Sequence, residues 1–230
     1  SALIHAATMV AAGVYLLCRT FWVFEPLSSV LTVIAWVGGL TALLTACLAL
    51  VEADLKRILA YSTLSQLGYM VMALGLGGSV AGMYHLTTHA FFKALLFLAA
   101  GSVIHATNEQ ELERLGGLWR RMPWTALVCG LASLSMAGML FMSGFWSKDA
   151  ILLAARERSP GLMWVLLGGA VMTASYVFRL YFRCFLGGEP SAHGASPGGS
   201  HGAPHGESPP VMIGPMLVLA AGAVCVGLVG

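Results

Sequence analysis

Charge is what this chain has least of. Asp, Glu, Lys and Arg make up 10% of its 230 residues, against about 25% in soluble domains. Hydrophobic residues fill 58% of it, and the mean hydropathy is +0.82. With several apolar runs of near-spanning length, that deficit excludes a soluble domain with a large core. It predicts an all-α, polytopic membrane helix bundle. The net charge of +2 comes with no basic patch interleaved with aromatics, so nucleic acid is not expected as a partner. The five cysteines, Cys18, Cys47, Cys129, Cys184 and Cys225, show no CxxC spacing and read as packing residues rather than iron–sulfur or zinc ligands. Gly75, Gly77 and Gly78 do not complete a GxGxxG and follow no strand, so no dinucleotide site is implied. No initiator Met or signal peptide opens the chain. Apolar runs near both ends predict a fragment of a longer multi-span subunit.

Apolar spans are expected at residues 3–18, which carry His5, and at 27–51, 58–76, 83–104 and 162–185. The stretch 124–159 is too long for one crossing: as a straight helix it would measure about 50 Å against a hydrocarbon core of about 30 Å. Gly138 and Gly144 fall inside it, so a discontinuous helix is predicted around 138–149, unwound between the two glycines. Residues 187–210 form a Gly/Ser/Pro/His linker without apolar period, expected to be flexible, and 211–230 begin a further span. Lys56, Arg57, Arg114, Arg120, Arg121 and Arg183 lie in the even-numbered connections, whereas Arg19, Arg156 and Arg158 lie in the odd ones. The even connections are therefore expected on the cytoplasmic or matrix side, with a bacterial inner membrane as the setting.

Ionisable residues inside the spans carry the functional argument. His85, His89 and Lys93 recur every four residues, so they line one helix face. A lysine at the bilayer centre costs roughly 2.5–3.5 kcal/mol on insertion scales, and its stem, about 6 Å long, cannot reach headgroups about 15 Å away. Two readings stand: packed histidines with Lys93 capping a neighbouring helix, or a proton relay whose members ordered water would link. Lys148 and Asp149 form a second candidate. They mark either the wet end of a continuous helix or, if the helix breaks, a deep amine beside half-helix ends. Asp149 points about 100° away from Lys148, toward another helix or subunit. Tyr61, Ser62, Ser65, Gln66 and Tyr69 form a polar stripe suited to interhelical hydrogen bonds or to supporting a water chain. His5 stands alone on an apolar face. Asp54 and Lys56 read as interfacial, or as a gate to the cytoplasmic inlet. His193, His201 and His205 lie in the linker, as a solvated tail or a weak metal site.

The segments SALIHAATMV (1–10), DLKRILAYSTLSQLGYM (54–70), HLTTHAFFKALLFLAAGS (85–102) and GFWSKD (144–149) closely resemble the largest antiporter-like membrane subunit of respiratory complex I, NADH:quinone oxidoreductase. The likeness runs over nearly the whole chain up to the linker. It implies an antiporter-like inverted-repeat fold, with 1–18 the last helix of the first repeat and 27–186 the complete second five-helix repeat. It implies that Lys93 is the central lysine joining two half-channels and that Lys148 is the lysine of the second broken helix, serving proton exit. His85, His89 and His5 fall on the family's connecting histidines, and Asp54 and Lys56 on its charged turn. The implied partners are other complex I membrane subunits, the lipid bilayer and ordered water. The implied redox groups (NADH, FMN, iron–sulfur clusters and quinone) sit in partner subunits, with no cofactor or metal in this chain. The first half-channel and a lateral helix would lie outside it, so the chain is not expected to pump alone. The alternatives are a homologous subunit of a multisubunit cation/proton antiporter, a membrane-bound hydrogenase or an inorganic-carbon uptake complex, or a membrane scaffold without transport.

Overall fold

The computed structural model describes residues 4, 8–188 and 206–228. Among these the regular elements are helices, apart from a bridge between Asp54 and Glu111. Five helices are long and apolar enough to cross a membrane. His5, His193, His201 and His205 lie outside the described residues.

The first helices are short: α1 (Ala12–Arg19) and α2 (Phe21–Phe24). The expected span 3–18 differs from this, because residues 8–11 form a turn and the helix begins only at Ala12. Among the described helices, α1 packs mainly against α4 (Leu55–Gly75) and α5 (Ser79–Thr107). Short helices draw most of their stability from such packing, and here only Val14 is deeply buried.

Helix α3 (Ser28–Val51) buries Leu31, Ala35, Gly38, Gly39, Ala42, Ala46 and Ala49, a stripe of mostly small residues along one side. That stripe lets its backbone approach α4 until a methyl group at Gly38 would lie 2.8 Å from the carbonyl of Gly68. Asp54 starts α4 by accepting a hydrogen bond from the Arg57 amide at 2.9 Å. Most of this helix is buried, and its Ser62, Ser65 and Gln66 are fully so. Helix α5 ends at Asn108, whose left-handed φ of 53° closes the last turn.

The predicted break is present. Helix α6 (Pro123–Ala137) stops at Gly138, which has φ 82°, and α7 (Ser143–Arg158) starts five residues later. Only glycine adopts that φ without strain. The chain then folds back so tightly that any side chain at Gly144 would run into the Ser135 carbonyl. Helix α8 (Pro160–Tyr181) continues into a widened turn, Phe182–Leu186. The last helix, α9 (Pro210–Cys225), lies along α5 and α6. The main apolar core joins α4, α5, α6, α8 and α9 with the end of α3.

Candidate functional site

Lys93 stands at the midpoint of α5 with no solvent exposure. Its ammonium donates to the Leu59 carbonyl of α4 at 3.1 Å and to the Ser62 hydroxyl, and it lies 5.9 Å from the centre of the Phe97 ring. The Leu59 carbonyl also accepts the hydroxyls of Ser62 at 2.8 Å and Thr63 at 2.9 Å. The amine therefore rests on the second turn of the neighbouring helix α4.

Two turns away on the same face, His85 is also fully buried. Its Nε2 is 3.2 Å from the Gln66 Oε1 and its Nδ1 is 2.8 Å from the Ser147 hydroxyl. A carboxamide oxygen only accepts, so the neutral ring carries its proton on Nε2 and Nδ1 accepts from Ser147. Thr88 holds Ser147 from the other side, its hydroxyl donating at 2.9 Å. His89 lies between His85 and Lys93, its ring centre 6.2 Å from that of His85 and packed edge-on to Phe92 at 5.3 Å. The Nε2 of His89 is buried without a hydrogen-bond partner among the described residues.

Lys148 sits one residue past Ser147 and is 6% exposed. Its ammonium donates to the Met136 carbonyl at 2.5 Å and lies 5.9 Å from the Tyr69 ring centre. Met136 is in the last turn of α6, where carbonyls lack intrahelical donors and the helix dipole is negative. The break thus creates the berth for the amine: it leaves a helix end inside the protein and turns α7 back across it.

A second line of polar groups runs beside the histidines. Gln66 donates to Thr173 on α8 at 3.5 Å, as does the Tyr176 hydroxyl at 3.5 Å. Tyr176 also faces Ser62 and Ser65. Lys93, Ser62, Tyr176, Thr173, Gln66, His85 and Ser147 therefore form a sequence of neighbours crossing α5, α4, α8 and α7, with Lys148 at its far end. Neither amine has a carboxylate partner among the described residues. Lys93 is held by a neutral carbonyl and a hydroxyl, and Lys148 by a neutral carbonyl.

The structure brings Lys93, His89, His85 and Lys148 together and leaves the other described candidates apart. Asp149, the next residue of α7, is exposed. Asp54 is a helix cap and Lys56 is exposed, both at the charged end of α4. Ser62, Ser65 and Gln66 belong to the expected polar stripe, and two of them contact the ionisable row. Ser147, Thr88, Thr173 and Tyr176 escaped sequence reading. Ser147 adjoins Lys148 and Thr88 lies three residues after His85, which is a local signal. Thr173 and Tyr176 share a face of α8, but nothing local names that face's neighbours.

Residues 1–173 match the family described as NADH:quinone oxidoreductase/Mrp antiporter, transmembrane. Over its whole length the chain is 48% identical to NAD(P)H-quinone oxidoreductase chain 5 of Picosynechococcus sp., covering 38% of that protein. It is 47% identical to the chloroplastic NAD(P)H-quinone oxidoreductase subunit 5 of Nephroselmis olivacea, again over its whole length, covering 36%. The fold matches a chain of the Mrp complex from Dietzia sp. DQ12-45-1b with TM-score 0.83 and 25% identity, over 94% of this chain and 48% of that one. It matches a chain of the archaeal membrane-bound sulfane sulfur reductase with TM-score 0.76 and 33% identity, over 85% and 32% respectively. The chain thus spans little more than a third of the length of these curated relatives.

Proposed function

Since the chain belongs to the membrane family shared by NADH:quinone oxidoreductases and Mrp antiporters, we propose that it is a proton-translocating part of NADH:quinone oxidoreductase. It moves protons through a lysine, histidine, hydroxyl and water relay, driven by electron transfer in other subunits. The redox groups belong to those partners, and this chain supplies the second half-channel of an inverted-repeat pair. The observation that carries the reading is Lys93: an amine at mid-span, sealed from solvent, with only neutral acceptors and no counter-ion among the described residues.

Burying an unpaired ammonium is costly, so its protonation answers to charge arriving nearby. Two elements supply that sensitivity. Lys148 is a second positive centre held at the end of α6. The unpartnered Nε2 of His89 is a polar site that ordered water ordinarily satisfies, beside the path between Lys93 and His85. In this scheme a proton passes between Lys93 and Lys148 by way of His85, His89 and the α4–α8 hydroxyls. Asp54 and Lys56 at the charged start of α4, and the exposed Asp149, serve the relay at its periphery, where protons enter or pass to a partner subunit. His5, outside the described residues, is the remaining proposed member of the relay.

Lys93→Ala, introduced into the full-length subunit of the assembled complex, is expected to abolish proton translocation by this subunit while quinone reduction continues. An unchanged proton-to-electron ratio rejects the proposal. Reconstituted alone in liposomes, the chain is expected to show no coupled proton uptake.

The likeness to the Mrp complex favours a second reading, a cation/proton antiporter subunit. The higher identity to quinone oxidoreductase subunits weighs against it. An absolute requirement for a sodium gradient, independent of electron transfer, selects the antiporter.

A further inference from the structure

Helix α6 has an unusual start. Its own cap position, Met122, offers no side-chain acceptor, and Pro123 has no N–H. The Ala126 amide is satisfied within the chain by the Met122 carbonyl at 2.9 Å. The amides of Trp124 and Thr125 are taken by a residue 83 positions away in sequence: Glu207 Oε2 accepts them at 2.7 and 3.4 Å. Glu207 Oε1 accepts the Thr125 hydroxyl at 2.6 Å and the Ser208 amide at 3.1 Å. Both carboxylate oxygens are thus doubly engaged, and the anion faces the positive end of the α6 dipole.

Glu207 lies three residues before α9, which follows α6 to its other end. At the head, Ser208 bonds to Ser102 of α5, which lies 3.2 Å from Thr125. At the foot, the Ser135 hydroxyl of α6 donates to the Ala223 carbonyl at 3.1 Å, and the Tyr84 hydroxyl of α5 donates to the Gly227 carbonyl at 2.6 Å. Gly227 itself packs on Ser143, the first residue of α7. Helix α9 therefore lies along α6 like a splint, tied at the start by an anion and at the break by hydroxyls. Two side chains from other elements meet the ends of α6: Glu207 the first turn, Lys148 the last.

We propose that Glu207 is a positioning residue for Lys148: by capping α6 from the head of α9, it fixes the height of the helix whose last carbonyls hold that amine. The functional consequence rests on the proton-relay reading, whereas the geometric link does not.

The test uses the full-length subunit in its assembled complex, with Glu207→Gln, Glu207→Asp and, as a packing control, Met216→Ala, which removes a buried α9 side chain. Two quantities are read: amide hydrogen exchange at Trp124, Thr125 and residues 138–144, and protons moved per electron. Glu207→Gln is expected to speed exchange about fivefold in both segments, the size of a lost helix cap. It is also expected to lower the proton-to-electron ratio while quinone reduction persists. Glu207→Asp, which keeps the charge, restores most of both, and Met216→Ala leaves exchange at 138–144 and the ratio unchanged. Wild-type exchange at 138–144 in Glu207→Gln overturns the proposal, and so does a Met216→Ala variant that reproduces the full effect. If the wild-type complex moves no protons, the relay reading fails, and the exchange measurement still decides the role of Glu207.

Discussion

At the residue scale, Gln66 does more than its place in a polar stripe suggests. It presents its carbonyl to His85 and its amide to Thr173, so it sets the histidine tautomer and couples α4 to α8. Replacing it with Leu leaves the buried Nε2–H of His85 unpaired, at a cost of roughly 1–3 kcal/mol. The expected outcome is a lower melting temperature of the complex together with reduced proton translocation. A separate expectation concerns Glu109, on the loop after α5. Desolvation pushes its carboxyl up. The amides of Glu111 and Gln110, at 3.1 and 2.9 Å, and the Arg114 guanidinium outweigh this and hold it below the usual carboxylate range. A depressed carboxyl contributes stability above its unfolded pKa of about 4.3 and loses it as pH falls through the folded value. Intrinsic-rate-corrected exchange of the Gln110 and Glu111 amides should stay flat at neutral pH and rise only in acid. The ionisable row itself was legible in the sequence because four-residue spacing fixes a face whatever the tertiary fold. Its hydroxyl partners on α8 were not, because Thr173 and Tyr176 acquire meaning only once α8 is known to pack on α4.

At the element scale, the interrupted helix was readable from length alone, since 124–159 exceeds any single crossing, and the glycines marked where the excess is absorbed. The structure adds why both glycines are needed. One adopts φ 82°, and the other admits the Ser135 carbonyl. Gly138→Val places a β-branched residue in the left-handed region and should cost about 1–3 kcal/mol. Gly144→Ala should also destabilise, by about 1–3 kcal/mol, through overpacking. Thermal unfolding of the purified complex measures both. If the berth at Met136 holds Lys148, each variant also lowers translocation more than an equally destabilising change on the outer face of α3. The role of α9 was hidden from sequence, because a cap contributed across 83 residues leaves no local pattern near Pro123. The shortness of α1 was hidden too, since apolar composition at 3–18 does not reveal how few neighbours support it.

At the scale of the whole molecule, the loops give a testable sidedness. The bridge of Asp54 to Glu111 puts the α3–α4 and α5–α6 connections on one face, and the α7–α8 turn belongs to the other. In closed vesicles an impermeant thiol reagent should label Lys56→Cys and Arg120→Cys from the same side and Arg158→Cys from the opposite side, with Cys47 and Cys225 replaced beforehand. Labelling of all three from one side would refute this arrangement and the orientation read from Lys and Arg counts. Arrangement was legible this far because hydropathy and loop charge act on whole spans, whereas which spans touch depends on small residues whose effect is geometric. The seam of Ala and Gly between α3 and α4 is the clearest case. Two backbones in direct contact have no slack to slide, so these helices move as a single keel. In the proposed relay, any displacement is then absorbed on the far flank of α4, where hydroxyls and amides can trade partners without opening a void.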